Sequence, residues 1–443
     1  MSKRLYLLFF FALTIFLFST CKKDDPIVAD CSTMMEPPII TKPNILLIIA
    51  DDMGLDATPG YGIGPVQPSM PNLQNMMDNG IRFNNFWSNP VCSPTRATIL
   101  TGKYGIRNGV VQVGDELPTS ETSLQKYLDT NAPAYQSAVI GKWHLSTDVN
   151  HPTNLGINYF AGLMNGGVQD YNSWNFTQSG ITTTSTAYIT TQFTDLAIDW
   201  VSEQTEPWFL WLAYNAPHTP FHLPPTDLHS QGNLPTDQAS IDANPLPYYM
   251  AMIESLDTEM GRLINSMSAE ERANTIIIFI GDNGTPNQVA QIYNSTRAKG
   301  TVFKGGINVP MVIAGKGVDR TNETEDALIN ASDLFATIAA IAGVNILEIN
   351  DSKSFINLLT DASAESREYI YAEVGKDTGG SDYTIRNATH KYISRDNGSE
   401  FLFDLEANEF ENPNLLNANQ LPLTAANEAI RDELLLKLEE IRQ

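Results

Sequence analysis

Residues 44–52 read NILLIIADD: one polar residue, six apolar ones, then two adjacent aspartates. An apolar run with no alternation suits a strand covered on both faces, as in a parallel sheet. Four further runs share this texture, at residues 138–140, 208–214 (WFLWLAY), 275–280 (TIIIFI) and 310–314. Between them, helical spacing of apolar residues falls at 72–79, 95–101, 123–130, 193–204 and 249–267. Strands alternating with helices predict an α/β fold: a large mixed, mostly parallel sheet sandwiched by helices, spanning residues 42–345. From Ser354 the texture changes to short strands at 369–373, 383–386, 391–394 and 400–404, then a helix from Ala425 to the end. Residues 346–443 are therefore predicted to form a small C-terminal antiparallel sheet subdomain with a terminal helix.

In an open α/β sheet, ligands bind just beyond the carboxyl ends of the strands. Asp51 and Asp52 follow the first run, Gly141-Lys142-Trp143-His144 the second, Asn215-Ala216-Pro217-His218 the third and Gly281-Asp282-Asn283-Gly284 the fourth. Taken singly, each group reads as a solvated turn, a helix cap or a loop histidine. Together they deliver acids, amides, a lysine and two of the six histidines to one rim. Asp51, Asp52, Asp282 and Asn283 form an all-oxygen set suited to a hard cation, Ca²⁺ or Mg²⁺. Lys142 and His144 alternate in an extended segment, so both can face one side.

Residues 92–102 read CSPTRATILTG and place a thiol, a proline and an arginine at a predicted helix start. Such a terminus favours anions and lowers the pKa of a nearby thiol. Arg96, one turn inside, carries a planar charge matched to a tetrahedral oxyanion. A Cys31–Cys92 disulfide is the structural alternative, disfavoured because Cys31 lies in a Pro-rich lead.

The string CSPTRATILTG resembles the signature of type I sulfatases, members of the alkaline phosphatase superfamily. In that family the Cys of C-x-P-x-R is oxidised to formylglycine, so the resemblance makes Cys92 a precursor and implies a maturase partner. It also implies that Asp51, Asp52, Asp282 and Asn283 bind Ca²⁺, and that Arg96 steadies the formylglycine. Lys142 and Lys299 would bind sulfate, His218 would protonate the leaving oxygen, and His144 would act as the base near the formylglycine hydroxyl. GKWH, the P-H-T loop and the K-G…G-G segment follow in the family's chain order. Lys304 stands where the family often has Glu, and Asn308 where it often has Arg. The implied activity is sulfate-ester hydrolysis on sulfated glycans or aryl sulfates. The alternatives are a phosphonate monoester or phosphodiester hydrolase of the same superfamily, and a non-catalytic glycan-binding surface lipoprotein.

Lys3 and Arg4 precede an apolar run over residues 5–18 that ends at Ser19-Thr20-Cys21. This resembles a lipoprotein signal over residues 1–20, with a membrane anchor at Cys21 and a flexible linker to residue 41. A plain secretory signal and an uncleaved anchor are the alternatives. Lys22-Lys23-Asp24-Asp25 resembles the tag that sends Bacteroidetes lipoproteins outward, which implies the outer membrane, at the cell surface or in the periplasm. A formal net charge of −24 argues against nucleic acid as a partner. The region 155–186 and the stretch 220–247 are expected as loops that shape the pocket. Tyr171, Trp174 and Phe221 are their candidate platforms, and His222 is the remaining histidine expected nearest the substrate. Glu254, Asp257 and Glu259 are expected on a solvated helix face.

Overall fold

In the computed structural model, residues 42–443 are described; residues 1–41, with the proposed signal, Cys21, Cys31 and the linker, lie outside them. Ten strands form the main sheet: β1 (Asn44–Ala50), β2 (Gly80–Phe83), β3 (Gln136–Lys142), β4 (Phe160–Leu163), β5 (Trp174–Gln178), β6 (Ile181–Ser185), β7 (Trp208–Ala213), β8 (Thr275–Gly281), β9 (Met311–Gly315) and β10 (Glu323–Glu325). Their order is β10-β2-β9-β8-β1-β7-β3-β4-β5-β6. The central five, β8, β1, β7, β3 and β4, run parallel, while β9, β5 and β6 pair antiparallel with their inner neighbours.

Strand β1 shows why an unbroken apolar run belongs at the centre. Its side chains alternate, so Ile45, Leu47 and Ile49 enter one core and Leu46, Ile48 and Ala50 the other. On the first face lie α2 (Cys92–Thr101), α3 (Leu124–Asn131) and α6 (Asp333–Ile341). On the second lie α1 (Pro71–Asp78), α4 (Ile189–Ser202) and α5 (Leu246–Ser266). The sheet is thus sandwiched by helices, as expected.

A second sheet, β11 (Ile370–Gly375), β12 (Ser381–Arg386), β13 (His390–Ser394) and β14 (Glu400–Asp404), is antiparallel in sequential order. One face packs under α7 (Ala425–Arg442) through Tyr371, Ile385, Tyr392, Leu402, Leu434 and Leu438. The other meets Val302 and Phe303 through Val374, Ile393 and Phe403.

Two expectations are corrected. The region 155–186 is not a loop but supplies β4, β5 and β6. Its Thr-rich outer hairpin is too exposed to show an apolar run, so the sheet is wider than its apolar strands suggest. Glu254, Asp257 and Glu259 are buried, not solvated. Asp257 accepts from the backbone N–H of Asn72 and Leu73 at 3.0 and 2.8 Å, satisfying the free amides at the start of α1. Glu254 ties Ser69 to Ser230, and Glu259 accepts from Thr191. Among the described residues, no helix is long and apolar enough to cross a membrane.

Candidate active site

Because β1, β3, β7 and β8 are parallel, the residues that follow them gather at one edge of the sheet. Asp51, Asp52, Asp282 and Asn283 meet there, all buried. The N–H of Asp52 donates to Asp282 Oδ1 at 3.0 Å, and Asn283 Nδ2 donates to Asp52 Oδ1 at 2.8 Å. Asp52 adopts φ 70°, an unfavourable left-handed turn for a residue with a side chain.

Three cations face these three carboxylates. Lys142 Nζ pairs with Asp51 Oδ2, and Lys299 Nζ lies 2.6 Å from Asp52 Oδ2. Arg96 donates to Asp282 Oδ2 at 2.7 and 3.2 Å, and to the carbonyl oxygen of Lys142 at 2.9 Å. The guanidinium expected to meet an oxyanion is therefore committed to holding β3 and β8 together beneath the rim. Two buried acceptors, Asp51 Oδ1 and Asn283 Oδ1, are left without a hydrogen-bond partner. Orphaned acceptors inside a cluster of carboxylates fit a hard cation, because burial without a partner is costly.

The electrostatics agree. Burial favours neutral Asp52, but Lys299, His218 and Lys142 outweigh it and hold the carboxyl well below the usual carboxylate range. Asp282 goes the other way: burial, then the charge of Asp51, pushes it up to about 6 despite Arg96. The three cations are thus unevenly shared: they hold Asp52 ionised and leave Asp282 less so.

Cys92 is the first residue of α2, whose ten residues are all buried. Its Sγ lies 3.3 Å from His144 Nδ1. The expected lowering of its pKa by the helix terminus is overturned: burial raises it, and Asp51 and Asp282 add to the rise against Lys142. A thiol kept protonated suits a precursor better than a working nucleophile. Burial, with Lys142 and Arg96 nearby, lowers His144 to about 2, which leaves the ring neutral and able to accept a hydrogen bond from a group on residue 92. His144 reaches the rim through φ 58°, so the simple extended alternation with Lys142 does not hold. Trp143 packs instead on His151, to which its indole N–H donates at 3.0 Å.

His218 Nδ1 donates to the carbonyl oxygen of Thr219 at 2.7 Å, turning Nε2 toward Asp52 Oδ2 at 3.8 Å. The structure thus brings together all ten residues singled out from the sequence. It does not support the expected aromatic platforms. Tyr171, Trp174 and Phe221 are buried, and Tyr171 bonds to the carbonyl oxygens of Asn215 and His218 at 2.9 and 2.6 Å. His222 is wedged against Tyr171 and accepts from the Tyr188 hydroxyl, so it serves the scaffold. Lys304 pairs with Glu409, and Asn308 donates to the carbonyl oxygen of Asn84; both are away from the rim's ion pairs. Asn215, placed just after β7 by the sequence but given no role there, is buried at the rim with an unpartnered Oδ1.

Fold and site define a class: a helix-covered, mostly parallel sheet whose carboxyl edge carries a cluster of carboxylates and basic side chains beside a buried cysteine. The sulfatase family model matches residues 43–344, and the chain belongs to the sulfatase family. The chain is 29% identical over 363 residues to the uncharacterized sulfatase YdeN of Escherichia coli K12, covering 69% of this chain and 63% of that one. It is also 29% identical over 344 residues to human N-acetylgalactosamine-6-sulfatase, covering 68% and 62%. The matched regions span a little under two thirds of these relatives' length. The crystal structure of Ps i-CgsB matches with TM-score 0.75 and 25% identity, over 91% of this chain and 94% of that one. BT4656, solved in complex with its substrate D-glucosamine-2-N,6-O-disulfate, matches in fold with TM-score 0.75 at 20% identity, over 91% and 98%.

Proposed function

We propose that this chain hydrolyses sulfate monoesters, using a formylglycine made from Cys92 by a maturase and a bound Ca²⁺, with Mg²⁺ as the alternative ion. One observation carries the reading: ligand atoms of Asp51, Cys92 and Asp282 all lie within 4.8 Å of one another. A residue at position 92 and an ion held by Asp51, Asp52, Asp282 and Asn283 can therefore address the same sulfate. The ion would supply Lewis-acid polarisation of the sulfate oxygens, and the aldehyde hydrate would supply the nucleophilic oxygen.

The remaining work falls to side chains of the rim. Lys142 and Lys299 carry positive charge beside the acids, where it can cover the non-bridging oxygens of the ester. His218 protonates the leaving oxygen through Nε2, since Nδ1 is committed to Thr219. His144, with Nδ1 in reach of residue 92, takes a proton from an oxygen there. Arg96 fixes the frame.

The proposed substrate is a sulfated glycan. Support comes from structural neighbours solved with k-i-k-neocarrahexaose and with a disulfated glucosamine. We propose further that Cys21 anchors the protein by a lipid at the outer membrane, facing the cell surface or the periplasm. Peptide mass spectrometry of residue 92 in protein from the native host tests the central claim. An aldehyde is expected, and a thiol throughout overturns it.

A further inference from the structure

The segment joining β4 to β5 runs along both histidines of the rim. Gly166 and Gly167 each lie against one imidazole. A Cβ on Gly166 would sit 2.3 Å from Cε1 and Nε2 of His144, and one on Gly167 would sit 3.1 Å from Cε1 of His218. Neither glycine has a positive φ, so the backbone conformation does not call for glycine. Close approach does. The ring of His144 cannot simply retreat, because its Nδ1 already meets Cys92 Sγ at 3.3 Å. Its backbone is tied to the same segment, with the N–H of Trp143 and of His144 donating to the carbonyl oxygens of Leu163 and Met164 at 2.8 and 3.1 Å. Tyr171 completes the segment. Its hydroxyl accepts from Asn215 Nδ2 at 2.9 Å and reaches the carbonyl oxygen of His218 at 2.6 Å.

We propose that residues 164–171 are the positioning element for both imidazoles: Gly166 sets the ring of His144, and Gly167 with Tyr171 sets that of His218. What the two rings do rests on the sulfate-ester reading; where they are held does not. The element acts through the histidines, since its glycines bring no reactive group to the rim.

Three variants test this, Gly166→Ala, Gly167→Ala and Tyr171→Phe. Each is assayed on 4-nitrophenyl sulfate, whose leaving group needs little protonation, and on a sugar 6-O-sulfate, whose alkoxide needs a proton. A misplacement of about 1 Å costs about 100-fold, so Gly166→Ala should lower kcat by about that factor on both esters with KM nearly unchanged. Gly167→Ala and Tyr171→Phe should lower kcat by about tenfold on the sugar ester and leave the aryl ester nearly unaffected, the signature of a displaced general acid. Wild-type kcat in Gly166→Ala, or equal losses on the two esters in both His218-side variants, overturns the proposal. If Gly166→Ala does not fold, the milder contact of Gly167→Ala carries the test. Wild-type protein that carries the aldehyde and releases sulfate from neither ester refutes the sulfate-ester reading alone. Crystal structures of the glycine variants then decide: displaced imidazoles support the positioning role, and superimposable ones overturn it.

Discussion

Asp333 and Asp51 are both buried carboxylates beside an arginine, and they differ in what is left over. At Asp333 each oxygen is taken. Oδ1 accepts from the N–H of Lys353 and from Arg367, and Oδ2 accepts from the N–H of Asn330 at 2.9 Å and from Arg367 at 2.7 Å. The residue opens α6, where a negative charge also meets the free amides of the helix start. At Asp51, one oxygen meets Lys142 and the other has no hydrogen bond, with Arg96 at 3.9 Å. A charge closed by its own fold is a structural tie. One left partly open, in company with two more acids, is a place for something the chain does not itself supply.

The largest expected effect breaks the open cluster's chemistry without touching its charges. Cys92→Ala should lower sulfate release by at least about 10⁴-fold while the thermal midpoint stays put, because a lost nucleophile is not compensated elsewhere. Retained turnover would sink the proposed mechanism.

Next comes the contrast itself. A ligand at 100 times its Kd stabilises a fold by about 2.7 kcal/mol, so millimolar Ca²⁺ should raise the wild-type midpoint. Asp282→Asn should abolish that rise, whereas Asp333→Asn should keep it. Asp333→Asn should instead cost about 3 kcal/mol in urea unfolding, because it strands a largely buried arginine. An equal calcium response in both variants would erase the distinction drawn between the two clusters.

The smallest effect concerns His222, the half-buried histidine that serves the scaffold. Burial lowers its pKa to about 4, and its Nε2 accepts from Tyr188 only when neutral. Between pH 6.5 and pH 4 the unfolded chain takes up a proton that the folded chain refuses, so stability falls as pH falls through that window. At 1.36 kcal/mol per pKa unit the ceiling is about 3.4 kcal/mol, and solvent reaching the half-buried ring brings the expected loss to about 1 kcal/mol. Unfolding free energies at pH 7 and pH 4.5 for wild type and His222→Gln check this, with a flatter profile expected in the variant. Parallel profiles would remove His222 from the account.

Much of this was legible from the chain alone, and the limits have physical causes. Strands covered on both faces must be apolar throughout, so β1, β7 and β8 stand out. The hairpin of β5 and β6 lies at the sheet's edge, where Thr182, Thr183 and Thr184 meet water and no apolar pattern is required. Aromatic residues misled for a related reason. Trp174 and Tyr171 sit among polar neighbours in sequence, yet each fills a core position and sends its polar tip to a backbone carbonyl. Glu254 and Asp257 read as solvated because buried carboxylates are rare; amides that satisfy them come from Ser69 and Asn72, each 185 positions away.

By itself, the sequence determined which side chains reach the rim. Apolar runs bury parallel strands from both sides, and whatever follows such a strand must emerge at its carboxyl edge. Only the tertiary structure decided how those side chains are partnered: that Arg96 is a brace, that Lys142 and Lys299 divide the two aspartates, and that Asp51 and Asn283 keep an oxygen free. Those pairings join residues 46 to 247 positions apart, and a difference of 1 Å separates a closed ion pair from an open site. Distances of that kind are set by packing, and no local pattern carries them.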